Sequence, residues 1–162
     1  MNNFANPAQA IFFLASILKR KMTGTLIFHF VILPILVGAS FAILLIGAGP
    51  DFFEKIGKNK DYTTRELVCA LVGYGLLIVT GITNFVMWIS AMVKISSTCN
   101  QVRNIAQMTG NFQLDILGSA KILVLFSLLF WPLYIVGLFI ARSKASQLMM
   151  MTGMQQGGYN SF

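Results

Sequence analysis

Three apolar stretches, residues 25–49, 67–93 and 119–141, constrain this chain more than anything else in it, and between them they carry one formal charge, Lys121. Each supplies the roughly 20 residues needed to cross a hydrocarbon core about 30 Å thick. A soluble domain carries roughly a quarter of its residues as Asp, Glu, Lys or Arg. This chain carries 10%, with a mean hydropathy of +0.74. The pattern predicts an all-α polytopic membrane protein, with three transmembrane helices and an N-terminal interfacial amphipathic helix.

At 162 residues there is room for spans, short connections and a tail, but not for a soluble domain of ordinary size. The formal net charge of +7 does not point to nucleic acid, because the basic residues gather at the borders of the apolar stretches. There they meet lipid headgroups and set orientation. Cys69 and Cys99 are 30 residues apart, about 45 Å if the chain between them is helical. That separation forbids a disulfide within one chain. Neither cysteine lies in a metal-binding spacing, so they read as small buried hydrophobes.

Residues 7–21 form the predicted interfacial helix. Asn6 is its N-cap, Pro7 opens it, and the apolar run from Ala10 to Leu18 closes on the basic cluster Lys19, Arg20 and Lys21. The alternative is that this segment extends the first span without a break. The first span, 25–49, holds His29 and Pro34. A proline there removes a backbone donor and obstructs the carbonyl of Phe30, which predicts a kink. An ionisable residue in a span is a functional candidate by default. His29 has no intramembrane carboxylate to relay protons with, and reads as structural.

Gly47 to Pro50 end the first span, and Asp51 to Gly57 predict a short helix. Thr63 and Glu66 have the spacing of a capping box at the start of the second span, 67–93. Within that span Ala70, Gly73, Thr80, Gly81, Asn84 and Ala91 recur at helical steps on one face. Small residues let backbones approach, and an amide can bond across the contact, so this face predicts a helix-packing or oligomer seam. Its partner could be the first span, the third span or another copy.

Residues 95–117 predict an amphipathic connection, with Gly110 interrupting it and polar amides outnumbering charges. The third span, 119–141, carries Trp131 and Pro132, and a second kink is expected at the proline. The tail, 142–162, is rich in Met, Gln and Gly. Its methionines suit an adaptable contact surface better than a copper site, since His and Cys are missing nearby. No metal or other cofactor is expected.

With three spans the basic residues divide six to six between the two sides. The cluster Lys19 to Lys21 then favours an N-terminus inside. There is no nucleophile with a base, no zinc-protease motif and no glycine-rich phosphate loop, which argues against an enzyme. Two functions remain. In general build the chain resembles small integral-membrane subunits of bacterial type IV secretion and conjugation systems. An apolar helical hairpin, 72–95 and 121–141 joined by a polar turn, carries that resemblance. It implies a bacterial inner-membrane subunit packed against other membrane subunits and lipid, as a homo-oligomer or hetero-complex, without direct nucleic acid binding. The alternative is an oligomeric pore former of holin type, lined by Thr80, Thr83 and Asn84.

Overall fold

The structure, a computed structural model, describes residues 6–49, 54–55 and 62–159, with side chains to Gly153. The short helix expected at 51–57 lies outside these, apart from Glu54 and Lys55. The described residues are helical almost throughout. In chain order they form α1 (Pro7–Ile27), a π-helical turn (Phe28–Ile32), α2 (Leu33–Ala42), a second π-helical turn (Ile43–Ala48) and α3 (Thr64–Thr109). A 3-10 turn (Phe112–Leu114), α4 (Gly118–Phe126) and α5 (Pro132–Tyr159) complete the chain.

Two of the helical runs, Pro7–Ala48 with 42 residues and Thr64–Thr109 with 46, are long and apolar enough to cross a membrane. Only 11% of the most apolar window in each is buried, whereas the core helix of a soluble protein would be mostly covered. At 1.5 Å per residue they measure about 63 and 69 Å, more than twice the hydrocarbon thickness, so only part of each can lie within it.

Two expectations change here. The interfacial segment 7–21 is not set off from the first span. Thr23 and Gly24 continue α1, because the Thr23 hydroxyl bonds back to the Lys19 carbonyl at 2.9 Å and nothing crowds Gly24. The stretch 119–141 is not a third span either. It is broken after Phe126 and resumes at Pro132, giving a helical hairpin. The nine residues of α4 reach about 14 Å, less than half a bilayer core.

Local chemistry explains the break. Pro132 has no amide hydrogen and disfavours helical geometry at Trp131. The Ser127 hydroxyl takes the Val124 carbonyl at 2.5 Å, competing with the backbone. Pro132 therefore heads α5 instead of kinking a continuous helix. Pro34 acts differently, near the start of α2 just after the first π turn, where the Leu33 amide bonds to the Phe28 carbonyl five residues back. The wider turn accommodates the ring against the preceding carbonyls.

The chain divides into two compact units. One comprises the chain to Leu26 and from Trp88 onward; the other is Ile27–Met87. In the first, Ile11, Ala15, Leu18, Met22 and Leu26 of α1 meet Ala91, Ile95, Cys99, Val102 and Ala106 of α3. Tyr134, Leu138, Ala141, Ala145 and Leu148 of α5 join them, with Ala120 and Val124 of α4. The steps of three and four are those of knobs-into-holes packing, so this unit is a helical bundle. The same spacing reaches buried Thr152, so α5 stays helical well into the segment 142–162 that the sequence offered as a Met-, Gln- and Gly-rich tail. Gly110, at φ 66°, ends α3 with paired bonds from Gly110 to Gln107 and from Asn111 to Ala106. In the second unit, α2 with its flanking π turn runs antiparallel to the first half of α3.

Candidate functional site

The small-residue seam of α3 finds its partner inside the chain. A Cβ on Gly73 would lie 2.6 Å from Leu44 Cγ and 3.3 Å from the Ser40 carbonyl oxygen, so backbone and side chain meet there closely. Ala70 packs with Ala48 and Tyr62, and a Cβ on Gly47 would strike Cys69 Sγ at 2.5 Å. The first apolar helix is thus the neighbour of the second. Gly47, which the sequence offered only as a helix terminator, is half of this contact.

The six seam residues do not act together. Ala70, Gly73 and Thr80 are buried in the hairpin of the second unit. Gly81 is exposed with nothing within 4 Å of it. Ala91 belongs to the core of the bundle. The Asn84 side-chain oxygen is buried without a hydrogen-bond partner among the described residues, although the residue as a whole is half-exposed. Thr83 returns its hydroxyl to the Val79 carbonyl at 2.8 Å. His29 is buried with its ring edge-on to Phe28, centroids 5.5 Å apart. Among the described residues no three His, Cys, Asp or Glu side chains gather as a metal site.

At the start of α3 the capping box is formed. Thr63 donates its amide to Glu66 Oε2 at 2.8 Å, and Thr63 Oγ1 accepts from the Glu66 amide at 3.3 Å. Lys55 donates to Glu66 Oε1 at 2.5 Å. The Lys55 ammonium, with the Thr63 donors, lowers the Glu66 carboxyl from 4.5 to about 2.

The bundle holds its own hairpin at three levels. Arg103 Nε donates to Asp115 Oδ2 at 2.9 Å, and that carboxylate raises the guanidinium further. Lys121 Nζ donates to Asn100 Oδ1 at 2.9 Å, and Trp88 Nε1 donates to Ser127 Oγ at 3.1 Å. The pairs 103–115, 100–121 and 88–127 show that α4 descends antiparallel to α3. Its tip stands beside Trp88, six residues below Lys94 on the same helix, about 9 Å toward the apolar side. There Leu128, Leu129 and Phe130 are 65%, 83% and 59% exposed. At the crossing of α4 and α5, a Cβ on Gly137 would meet Val124 Cγ2 at 2.5 Å. A lone glycine among bulky residues was the one sequence signal of that approach.

The outer face of α3 presents an uncharged polar strip. Val93, Ser96, Ser97, Asn100, Gln101 and Asn104 line one open groove of about 450 Å³. The buried face of the same segment is Ile95, Cys99, Val102 and Ala106, where burial raises the Cys99 thiol above its ordinary range. Of the basic cluster, Arg20 is exposed while Lys19 and Lys21 are half-buried on α1. No protein-family model, curated protein or solved structure matches this chain.

Proposed function

We propose that this chain is a small integral-membrane subunit that crosses the bilayer twice, dips a helical hairpin into one leaflet, and packs into a larger membrane assembly. The observation that carries the assembly role is the strip from Ser96 to Asn104, an exposed helical face of amides and hydroxyls with one charge-free groove. Depletion of charge with retained hydrogen-bonding capacity suits the core of a protein contact better than a solvated surface. A type IV secretion or conjugation machine in a bacterial inner membrane is the specific candidate from the sequence resemblance alone, and the break after Phe126 interrupts one arm of the hairpin that carried it.

The pore reading has less behind it. A channel lining needs polar side chains facing outward along a span, whereas Thr80 is buried and the Thr83 hydroxyl is taken up by the Val79 carbonyl, which leaves Asn84 as a single half-exposed amide. The test of assembly is the mass of the complex extracted in mild detergent, compared with that of Asn104→Arg. A charge placed in the strip should release the chain to smaller species, and an unchanged mass would remove the strip's role. Co-purification of ATPases would support the secretion machine; stoichiometric homo-oligomers that conduct ions in liposomes would favour the pore.

A further inference from the structure

A second groove, also about 450 Å³, lies beside the polar strip and differs from it in charge. It is lined by Lys21 of α1 and by Ser90, Val93, Lys94 and Ser97 of α3. The four α3 residues fall at steps of three and four and so share one face of the helix. Both lysines are half-buried, and among the described residues neither has an acidic partner. Ser16, Thr23, Thr25 and Ser40 each return a hydroxyl to a carbonyl of the preceding turn. Ser90 makes no such bond, which leaves a donor facing the groove along with two ammonium groups.

Its depth identifies the ligand class. Lys94 closes the apolar run 67–93 and Lys21 closes the basic cluster just before 25–49, so both stand where an apolar helix leaves the hydrocarbon. Below them Val93 and Ile89 are 62% and 41% exposed, an apolar track one helical turn long. Cations above and apolar surface beneath match a phosphate bearing acyl chains.

We infer that Lys21 and Lys94, with Ser90 and Ser97, bind the headgroup phosphate of an anionic phospholipid whose chains lie along Val93 and Ile89. This rests on the two-span reading. Lys ammonium groups act as point charges on phosphate, and serine hydroxyls add directed donors.

The test uses the full chain in neutral detergent, given equal parts of phosphatidylglycerol and phosphatidylcholine, with retained lipid counted by native mass spectrometry. One phosphatidylglycerol should remain per chain in preference to phosphatidylcholine. Lys21→Gln with Lys94→Gln should weaken its retention about thirtyfold, the effect of two lysines at a membrane surface. Lys21→Arg with Lys94→Arg should keep it, and so should the control Arg142→Gln with Lys144→Gln. Equal retention of both lipids, or a Gln pair that still holds phosphatidylglycerol, overturns the inference. Inorganic phosphate competing as well as the lipid does would assign the groove to a free anion and overturn it too. Resistance of the wild-type chain to carbonate extraction is measured on the membranes from which it is purified, before detergent is added. Its loss would sink the two-span reading, whereas retention without lipid preference would sink this inference alone.

Discussion

Gly73 and Asn84 sit on one helix face and should respond to leucine in opposite ways. At Gly73 a side chain must displace Leu44 and cannot displace the Ser40 carbonyl, so Gly73→Leu should cost about 1–3 kcal/mol through overpacking. At Asn84 a buried oxygen lacks a partner, and Asn84→Leu should be neutral or stabilising by about 1 kcal/mol. Thermal unfolding in detergent checks both. Destabilisation by Asn84→Leu would mean that the amide bonds across an assembly after all. Glu66 supplies a pH dependence with a defined sign. Its folded carboxyl is held near 2 against an ordinary 4.5, so its stabilisation is complete above 4.5 and is lost as pH falls from there through about 2. The protection of the Glu66 and Leu67 amides against exchange, relative to the intrinsic rate at each pH, should fall over that window, and Glu66→Gln should abolish the fall.

At the scale of elements the hairpin α4–α5 makes the clearest prediction. If its tip lies about 9 Å below Lys94, Trp131 in a Trp88→Phe background should be quenched by lipids brominated in the acyl chain more strongly than by an aqueous quencher. The reverse order would place the hairpin outside the hydrocarbon. Leu129→Asp should weaken membrane retention without unfolding the bundle, since Leu129 is 83% exposed and contributes nothing to the core. This element also marks where sequence reading stopped. Residues 119–141 have the length and hydropathy of a span, and hydropathy is blind to a reversal of direction. The signals for the turn were Ser127, Pro132 and Gly137, each ordinary in a transmembrane helix; only the side chains they meet, Trp88 and Val124, give them meaning. By contrast the ends of helices were legible, because Asn6, the Thr63–Glu66 box and Gly110 act on their own neighbours. The seam was half legible. Its small residues pointed to close packing, but their partner was set by Gly47 and Leu44 on another helix.

For the whole molecule, replacing a third span by a hairpin changes the charge balance. On the proposed reading, two crossings return the chain to its starting side and the hairpin keeps it there. Lys19, Arg20, Lys21, Lys94, Arg103, Lys121, Arg142 and Lys144 then share one side, eight in all, against Lys55, Lys58, Lys60 and Arg65. On the proposed two-span reading, eight against four favours both termini in the cytoplasm, where six against six had left the N-terminal cluster to decide alone. Reporter fusions at either end should be active only as cytoplasmic reporters, and a cysteine introduced at residue 58 should react with an impermeant reagent from outside. A C-terminal reporter active outside would restore the third span. The π turn at Phe28–Ile32 has a consequence of another kind. It closes each ring over five residues instead of four, so it stores one residue more than an α-helix of the same rise. Removing one residue there lets the backbone revert to α geometry while Ser40 and Leu44 keep their azimuth toward α3. Removing one from α2 itself turns everything beyond it by about 100°. The first span should therefore tolerate a change of length in one place and reject it a few residues further on, a reading frame in three dimensions with a single spare letter.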